Sequence, residues 1–492
     1  MEVLSDKLEL IRMSISFFIP ELILIIGIIL IILIGLIKKE NKTLLLSFCS
    51  LVIVALSFWF GVIQTGQHTS PVNLFVGMIR VDGFSTYLKL LMDAGTILTV
   101  LMTCRRQKEQ QHLPEYYVMI LAVLLGSHLL VMSKNLIMVF LSLELISISS
   151  YVLTGFSFSR KGSEGGLKYF LFGSIASAVM LYGFSLLYGL TGSLDFSSFI
   201  HITTIGNSPL FLIGGFMALV GFFYKIAAAP LHPWSPDVYE AAPMPVVAFF
   251  SVIPKLAGIG ILTKFILTLS IISQPDFSWQ VILCAIAILS LTVGNFSALW
   301  QKNVKRLMAY SSIAQSGFLL IGVAALLPQG IHYMLFYATV YMIMNFLVFV
   351  YLQQFESHGM HEISSFSGAG RSNPLPFIFM LIGFISLIGL PPTAGFTGKL
   401  FIFSSLWESL QQSGHVILLL LFIFGLLNTI VSLFYYLRIP YYAFIKNGES
   451  NLKTNIISFE NLLGIILVIG VLYLFFNPGL LMGWINKINF TL

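Results

Sequence analysis

Four charged side chains lie within, or at the ends of, apolar runs that are long enough to cross a membrane. They are one carboxylate and three amines, namely Glu144, Lys225, Lys255 and Lys399. A charge at mid-helix depth in a bilayer costs about 2.5–3.5 kcal/mol on insertion scales, so four such charges would cost on the order of 10 kcal/mol unless they are paired or hydrated. Residues retained at such a cost are typical of ion pathways.

These residue types can move protons without a cofactor. Burial disfavours a charged side chain, so it lowers the pKa of a lysine and raises that of a glutamate, whereas a nearby carboxylate favours the charged lysine. Moving a carboxylate towards or away from an ammonium can therefore load or discharge its proton. We predict that Glu144 and Lys225 form a switching pair, that Lys255 is the central carrier and that Lys399 is the carrier at the uptake or release end. The alternative for Glu144 and Lys225 is a structural ion pair that fixes helix packing.

Other titratable residues are weaker candidates for additional relay groups. His232 and His332 qualify because histidine titrates near neutral pH. Lys168 lies near the end of an apolar run, where its amine could instead reach the membrane interface. Asp237, together with Glu240, could collect protons or belong to a solvated loop.

Further charged residues are predicted to be structural. Lys89 and Asp93 are four residues apart, hence on one helix face, and are predicted to pair with each other. Lys264 is predicted to extend to the membrane interface. His128 is predicted to be a packing histidine with satisfied hydrogen bonds.

The composition places all these residues in a polytopic membrane protein. Of the 492 residues, 57% are hydrophobic and 9% are charged, whereas soluble domains are about 25% charged. Since about 20 apolar residues span a bilayer, we predict an all-α fold with about fourteen transmembrane helices. The predicted segments are 17–37, 43–63, 82–103, 115–132, 136–156, 164–190, 209–229, 243–269, 279–299, 304–325, 330–352, 375–407, 415–437 and 457–476.

Prolines interrupt two of these segments. Three prolines interrupt the stretch 209–240, and a proline pair interrupts the stretch 375–407, which is longer than one span. Proline removes a backbone donor and breaks a helix, which a bilayer tolerates only where the freed backbone is buried in protein or lines a cavity. We therefore expect a broken helix at each place. The prolines concerned are Pro230, Pro233, Pro236, Pro391 and Pro392.

The two halves of the sequence resemble each other. Gly166–Phe172 (GLKYFLF) matches Gly330–Phe336 (GIHYMLF) at an offset of 164, and Pro230 matches Pro392 at an offset of 162. Each repeat would hold five helices, and an odd number of helices inverts the second repeat, as in many transporters. The predicted divisions are N-terminal helices 1–3 (1–114), a first repeat (115–269), an inverted second repeat (279–437) and a C-terminal helix (438–492).

Basic residues predict the orientation in the membrane. If the loop after the first helix is cytoplasmic, the cytoplasmic loops hold fifteen Lys and Arg residues and the opposite side holds five. Both termini are therefore predicted to be periplasmic, in a bacterial cytoplasmic (inner) membrane. The fifteen are Lys38, Lys39, Lys42, Arg105, Arg106, Lys108, Arg160, Lys161, Lys302, Lys305, Arg306, Arg371, Arg438, Lys446 and Lys453.

The sequence lacks the motifs of several other functions. It contains no P-loop, no HExxH and no CxxC. Cys49, Cys104 and Cys284 are too dispersed for a metal cluster or a disulfide framework. We therefore expect no metal and no cofactor on this chain. The net charge of +6 reflects the orientation signal and does not indicate nucleic acid.

Three motifs resemble the antiporter-like subunits of proton-pumping NADH:quinone oxidoreductase, respiratory complex I, and in particular the branch of its N subunits (subunit 2 in mitochondrial naming). They are Phe223–Pro243 (FYKIAAAPLHPWSPDVYEAAP), Asn303–Ile313 (NVKRLMAYSSI) and Gly389–Lys399 (GLPPTAGFTGK). The resemblance covers nearly the whole chain. It implies fourteen helices with two inverted five-helix repeats, and a relay at Glu144, Lys225, Lys255 and Lys399.

The resemblance also implies partners and cofactors. The chain would pump protons as one membrane-arm subunit of the enzyme, in contact with the lipid bilayer and other membrane-arm subunits, while FMN, iron–sulfur clusters, NADH and quinone are bound by other subunits. The alternatives are an Mrp-type cation/proton antiporter subunit, a membrane subunit of a hydrogenase-type complex, and a structural scaffold without transport.

Overall fold

The computed structural model describes residues 12, 14–36, 42–67, 71–104, 112–201, 208–272, 278–448 and 458–488. Several basic residues that underlie the predicted orientation, and both chain ends, lie outside the described residues. The orientation therefore stays a prediction. The basic loop residues concerned are Lys38, Lys39, Arg105, Arg106, Lys108 and Lys453.

The prediction of an all-α polytopic fold is confirmed. In the described part of the chain, twelve helices are long and apolar enough to cross a membrane, and two shorter apolar helices precede the helix breaks. The helices of the N-terminal part are α1 (Ile19–Leu36), α2 (Lys42–Gln67), α3 (Gly83–Cys104), α4 (Leu113–Met132), α5 (Leu136–Thr154), α6 (Arg160–Thr191), α7 (Pro209–Lys225), α8 (Trp234–Ala241) and α9 (Met244–Ile272).

The C-terminal part also consists mainly of helices. Its helices are α10 (Trp279–Leu299), α11 (Val304–Ala324), α12 (Pro328–Glu356), α13 (Ala369–Ser372), α14 (Pro374–Ile388), α15 (Ala394–Ser413), α16 (Val416–Tyr436), α17 (Arg438–Phe444), α18 (Phe459–Phe476) and α19 (Pro478–Ile485). Four short 3₁₀ segments and one hairpin complete the described elements: Phe75–Gly77, Gly155–Ser157, Phe196–His201 and Ile363–Phe366, with β1 (Val72–Leu74) antiparallel to β2 (Ile79–Val81).

Both predicted helix breaks are present. The first separates α7 from α8, and the second divides the predicted segment 375–407 into α14 and α15. The peptide bonds before Pro230 and Pro392 are cis. α14 ends where Gly389 adopts a left-handed conformation with φ of 88°, which glycine adopts without the steric cost of a side chain.

The chain divides into two compact units. The first contains Met1–Ile226, Ala241–Trp279 and Ile488–Leu492, and the second contains Ala227–Glu240 and Gln280–Lys487. α8 therefore belongs to the second unit, although the chain on either side of it belongs to the first. The predicted limits of the two repeats stay a prediction.

α9 is the central helix of the first unit. Nearly all its side chains are buried. By contrast, only about a third of the residues in the most apolar stretch of the long helix α6 are buried. A Cβ atom on Gly260 would lie 2.7 Å from Leu88 Cδ1 and 2.9 Å from Val131 Cγ1. α9 therefore packs closely against both α3 and α4 at this glycine.

Two predictions about structural lysines are wrong. Lys264 does not extend to the interface, because its Nζ donates to Asp82 Oδ2 at 2.8 Å and to the carbonyl oxygen of Val131 at 2.8 Å, with the lysine 7% exposed. Lys89 does not pair with Asp93. Its Nζ donates instead to Glu21 Oε1 at 2.9 Å, because a buried carboxylate on α1 competes with the neighbour on the same helix.

Candidate functional site

The predicted switching pair lies where α7 ends against α5. Lys225 is the last residue of α7 and is buried, and its Nζ donates to Ser147 Oγ at 3.2 Å. Glu144 accepts a hydrogen bond of 2.5 Å from Ser177 Oγ. Among the described residues, no ion pair joins Glu144 to Lys225. Since Ser147 follows Glu144 by three residues, Lys225 is bound one turn along the same face of α5.

Lys255 lies beside this position on α9. It is 1% exposed and follows Pro254. A Cβ atom on Gly258 would lie 3.6 Å from Cβ and Cγ of Lys225. Because Gly258 follows Lys255 by three residues, the stem of Lys225 lies against the turn of α9 that carries Lys255. The structure thus brings two buried lysines onto adjoining turns of the first unit.

We expect Gly258→Ala to disturb this junction. The new Cβ would lie 2.7 Å from Ile226 Cγ2, so the Ile226 side chain must shift, and we expect this to displace the neighbouring Lys225 amine from Ser147. Overpacking of this kind costs about 1–3 kcal/mol. Proton pumping by the assembled protein should fall, as measured by acidification in membrane vesicles. The matched control is Gly189→Ala, which adds a methyl group where nothing lies within 4 Å. Equal pumping by both variants would contradict the prediction.

Lys399 occupies a different environment in the second unit. Its Nζ donates to the carbonyl oxygens of Leu387 at 3.2 Å and Ile388 at 2.8 Å, and lies 3.9 Å from the ring centre of Phe318. The last carbonyls of a helix lack partners within the helix and form the negative end of its dipole. The end of α14 and the aromatic ring therefore both stabilise the positive charge of Lys399.

Each unit thus places an amine at the C-terminal end of the half-helix before a break. In the first unit this amine belongs to Lys225, the last residue of α7. In the second unit the residue that matches Lys225, at the offset of 162, is Leu387. Its side chain carries no amine, but its carbonyl oxygen accepts a hydrogen bond from the amine of Lys399. Half-helix ends that face ions are typical of transporters with broken helices.

The remaining predicted residues lie in more polar surroundings. Asp237 on α8 accepts a 2.7 Å bond from Arg306, which also reaches Glu240 at 3.1 Å, so these two carboxylates share one guanidinium. Lys168 is 41% exposed and pairs with Glu164 at 2.9 Å on the first turns of α6.

The two candidate histidines lie in the second unit. His232 precedes α8, and its ring lies 6.5 Å from the ring of Tyr310. His332 lies in the second turn of α12 and is half-buried. The relay roles of both histidines, and those of Lys168 and Asp237, stay predictions.

A buried polar network next to Lys399 was not foreseen. Gln315 Nε2 donates to the Leu387 carbonyl at 3.2 Å, the same oxygen that Lys399 approaches. Gln315 Oε1 accepts from Tyr337, and Ser311 bonds to Tyr436. A signal was available in the sequence, because polar residues recur at three- and four-residue spacing along the apolar helix α11. They are Ser311, Ser312, Gln315 and Ser316.

Known proteins are similar to this chain over most of their length. The family described as NADH:quinone oxidoreductase/Mrp antiporter, TM matches residues 133–427. NADH-quinone oxidoreductase subunit N of Chlorobium chlorochromatii is 36% identical, over 90% of this chain and 88% of its own length. A chain of respiratory complex I from Thermus thermophilus superposes with a TM-score of 0.80 at 29% identity, over 96% of this chain and 100% of that chain. A chain of the Mrp complex from Dietzia has a TM-score of 0.82 at 18% identity, over 96% of both chains, and so shares the fold.

Proposed function

This chain belongs to the NADH:quinone oxidoreductase/Mrp antiporter family, and we propose that it is a proton-translocating membrane-arm subunit of an NADH:quinone oxidoreductase. Electron transfer elsewhere in the enzyme would drive its proton transport. The identity of 36% to an N subunit over nearly the full length favours this function over that of an Mrp-type cation/proton antiporter subunit, for which the likeness is 18%.

The observation that carries the proposal is the junction of Lys225 and Lys255 in the first unit. Burial disfavours a charge on either amine, so we infer that the two lysines share one proton. A movable carboxylate decides which amine holds it. Glu144 is suited to that role because it lies one turn from the hydroxyl that now binds Lys225.

The proposed switch is a short movement along α5. Three residues of helix rise about 4.5 Å, so a shift of this size moves the Lys225 amine from Ser147 to Glu144. Beside Glu144 the ammonium is stabilised, and beside the neutral hydroxyl it loses that stabilisation and can pass its proton to Lys255. In the second unit, Lys399 would bind and release protons as the end of α14 approaches or leaves its amine.

The proposal assigns no redox chemistry to this chain. FMN, iron–sulfur clusters, NADH and quinone would be bound by other subunits, and other membrane-arm subunits would be its protein partners. The chain is a multi-pass membrane protein, and we place it in the bacterial cytoplasmic membrane with both termini on the periplasmic side. The fifteen-to-five distribution of basic loop residues supports that orientation.

Affinity purification from native membranes tests the assembly. A tagged chain, extracted gently, should copurify with NADH:quinone reductase activity and with flavin and iron–sulfur absorption. Membranes that hold the untagged chain serve as the control for adventitious binding. If the tagged chain instead emerges with small membrane subunits only, and sodium stimulates its transport, the antiporter function replaces this proposal. Copurified hydrogenase subunits would indicate the hydrogenase-type complex.

A further inference from the structure

The first unit contains a second group of buried titratable residues, which the relay does not use. They lie on three helices: Glu21 on α1, Lys89 and Asp93 on α3, and His128 on α4, each 0–1% exposed. Lys89 Nζ lies 2.9 Å from Glu21 Oε1. His128 Nδ1 lies 3.2 Å from the same oxygen, and His128 Nε2 lies 3.1 Å from Asp93 Oδ1.

This geometry favours one additional proton in the cluster. Both ring nitrogens of His128 lie within 3.2 Å of carboxylate oxygens, but a neutral imidazole has only one N–H. Its other nitrogen would direct a lone pair at a carboxylate. One additional proton removes this repulsion, either as an imidazolium at His128 or as a carboxylic acid at Asp93. With Lys89 opposite Glu21, the net charge is zero in both forms.

The cluster is only partly satisfied by hydrogen bonds. Ser57 Oγ donates to Asp93 Oδ2 at 3.1 Å, whereas among the described residues Glu21 Oε2, Asp93 Oδ1 and His128 Nε2 have no hydrogen bond of good geometry. Gln64 Oε1 and Met132 Sδ accept from Lys89 Nζ at 3.4 and 3.7 Å.

Other ionisable groups on α1–α4 have partners elsewhere. Among the side chains described there, Asp82 before α3 pairs with Lys264, and Glu115 on α4 lies 3.8 Å from His112. No further described carboxylate or amine of these helices therefore faces His128, and the proton balance of the cluster rests on its own four members.

The cluster also lies close to the helix that carries the central lysine. Gly260, five residues after Lys255, packs α9 against Leu88 and Val131. Leu88 is the neighbour of Lys89 in sequence. The first unit therefore holds both Lys255 and the cluster on helices that pack directly on one another.

We propose that His128 and Asp93 form a second proton-holding site of this subunit, which takes up and releases one proton in each transport cycle. The inference rests on the proposed function. In the transfer, the N–H bond at Nε2 breaks as an O–H bond forms at Oδ1. The cluster is neutral while it holds this proton, whereas release leaves one uncompensated negative charge, whose burial favours uptake of the next proton.

The test is a double variant in the whole, membrane-bound complex. His128→Gln with Asp93→Asn removes the shared proton, keeps polar groups of similar size and leaves Lys89 opposite Glu21. Acidification and NADH oxidation are measured together between about pH 6 and pH 8. We expect normal assembly, a ratio of protons to electrons lowered by the one proton per transport cycle that the site handles, and a flatter pH profile. His112→Gln, a half-exposed histidine before α4, is the matched control.

A structural role gives a different result. If the double variant pumps with the wild-type ratio and pH profile, the cluster only stabilises the fold and the inference fails. If the double variant does not assemble, His128→Arg restores a cation between the two carboxylates that does not release its proton, and wild-type pumping by that variant would equally overturn the inference. Lys255→Met in the same assay separates the two proposals. Normal pumping by Lys255→Met refutes the relay. If Lys255→Met loses pumping while the double variant pumps normally, only the second site is refuted.

Discussion

Replacement of Lys255 by methionine is expected to abolish proton pumping while the protein still assembles. Methionine has a similar length and no charge, and exchange of a buried charge for a well-packed apolar side chain is often neutral or stabilising by about 1–4 kcal/mol. Loss of a positioned proton carrier should lower pumping by roughly 10²-fold or more. Pumping is measured as acidification by membrane vesicles, and assembly as copurified NADH oxidation activity.

Lys255→Arg separates proton transfer from positive charge. A guanidinium keeps the charge but does not release its proton in proteins, so this variant should also fail to pump. Lys446→Met removes an exposed lysine whose amine lies 4.3 Å from the Tyr442 ring, and it should behave as the wild type. Wild-type pumping by Lys255→Arg would show that Lys255 does not carry the proton.

Lys399→Met is expected to weaken both stability and pumping, in contrast to Lys255→Met. The amine caps two helix-end carbonyls at 3.2 and 2.8 Å, and hydrogen bonds to charged groups contribute about 1.5–3 kcal/mol each. Without the amine, these buried carbonyls lose a donor and the end of α14 loses its countercharge. We expect a loss of about 2 kcal/mol and about tenfold slower pumping, measured by thermal inactivation of the purified protein and by acidification.

Two glycines provide a matched test of that arrangement. A Cβ atom on Gly389 would lie 2.8 Å from Lys399 Cδ, at a φ of 88°, whereas Gly414 has a φ of 69° and nothing within 4 Å. Alanine at either position incurs about 1–2 kcal/mol of left-handed strain. Only Gly389→Ala should also displace Lys399 and slow pumping. If the two variants pump equally, the position of Lys399 against Gly389 is unimportant.

The helices were predictable because their signals are local. Span length follows from bilayer thickness, and prolines break helices wherever they occur, so both breaks were correctly placed from composition and proline positions. The division of the predicted segment 375–407 into α14 and α15 needed the left-handed turn at Gly389. A glycine in the sequence does not by itself predict such a turn, because glycine also occurs within helices.

The partners of buried charges were not predictable, because they depend on how helices rotate and meet. Sequence spacing pairs Lys89 with Asp93, but a pair four residues apart contributes only about 0.2–0.5 kcal/mol. Lys89 instead forms a buried contact with Glu21, which lies 68 positions away in the sequence. Glu21 itself was overlooked, although it is the one acidic residue in the apolar run 17–37. Likewise, nothing local shows that Lys225 binds Ser147 rather than Glu144.

α8 has a consequence for how this polypeptide could be divided. Its Tyr239 hydroxyl bonds to Ser312 at 2.9 Å and its carboxylates hold Arg306, all within the second unit. A cut between α9 and α10 would therefore give a C-terminal fragment that lacks a helix it needs. In that fragment Arg306 would lack Asp237 and Glu240, the two carboxylates to which it donates in the whole chain. Gene fission at this point should yield halves that function only when co-expressed, so the internal duplication does not make either half a self-sufficient protein.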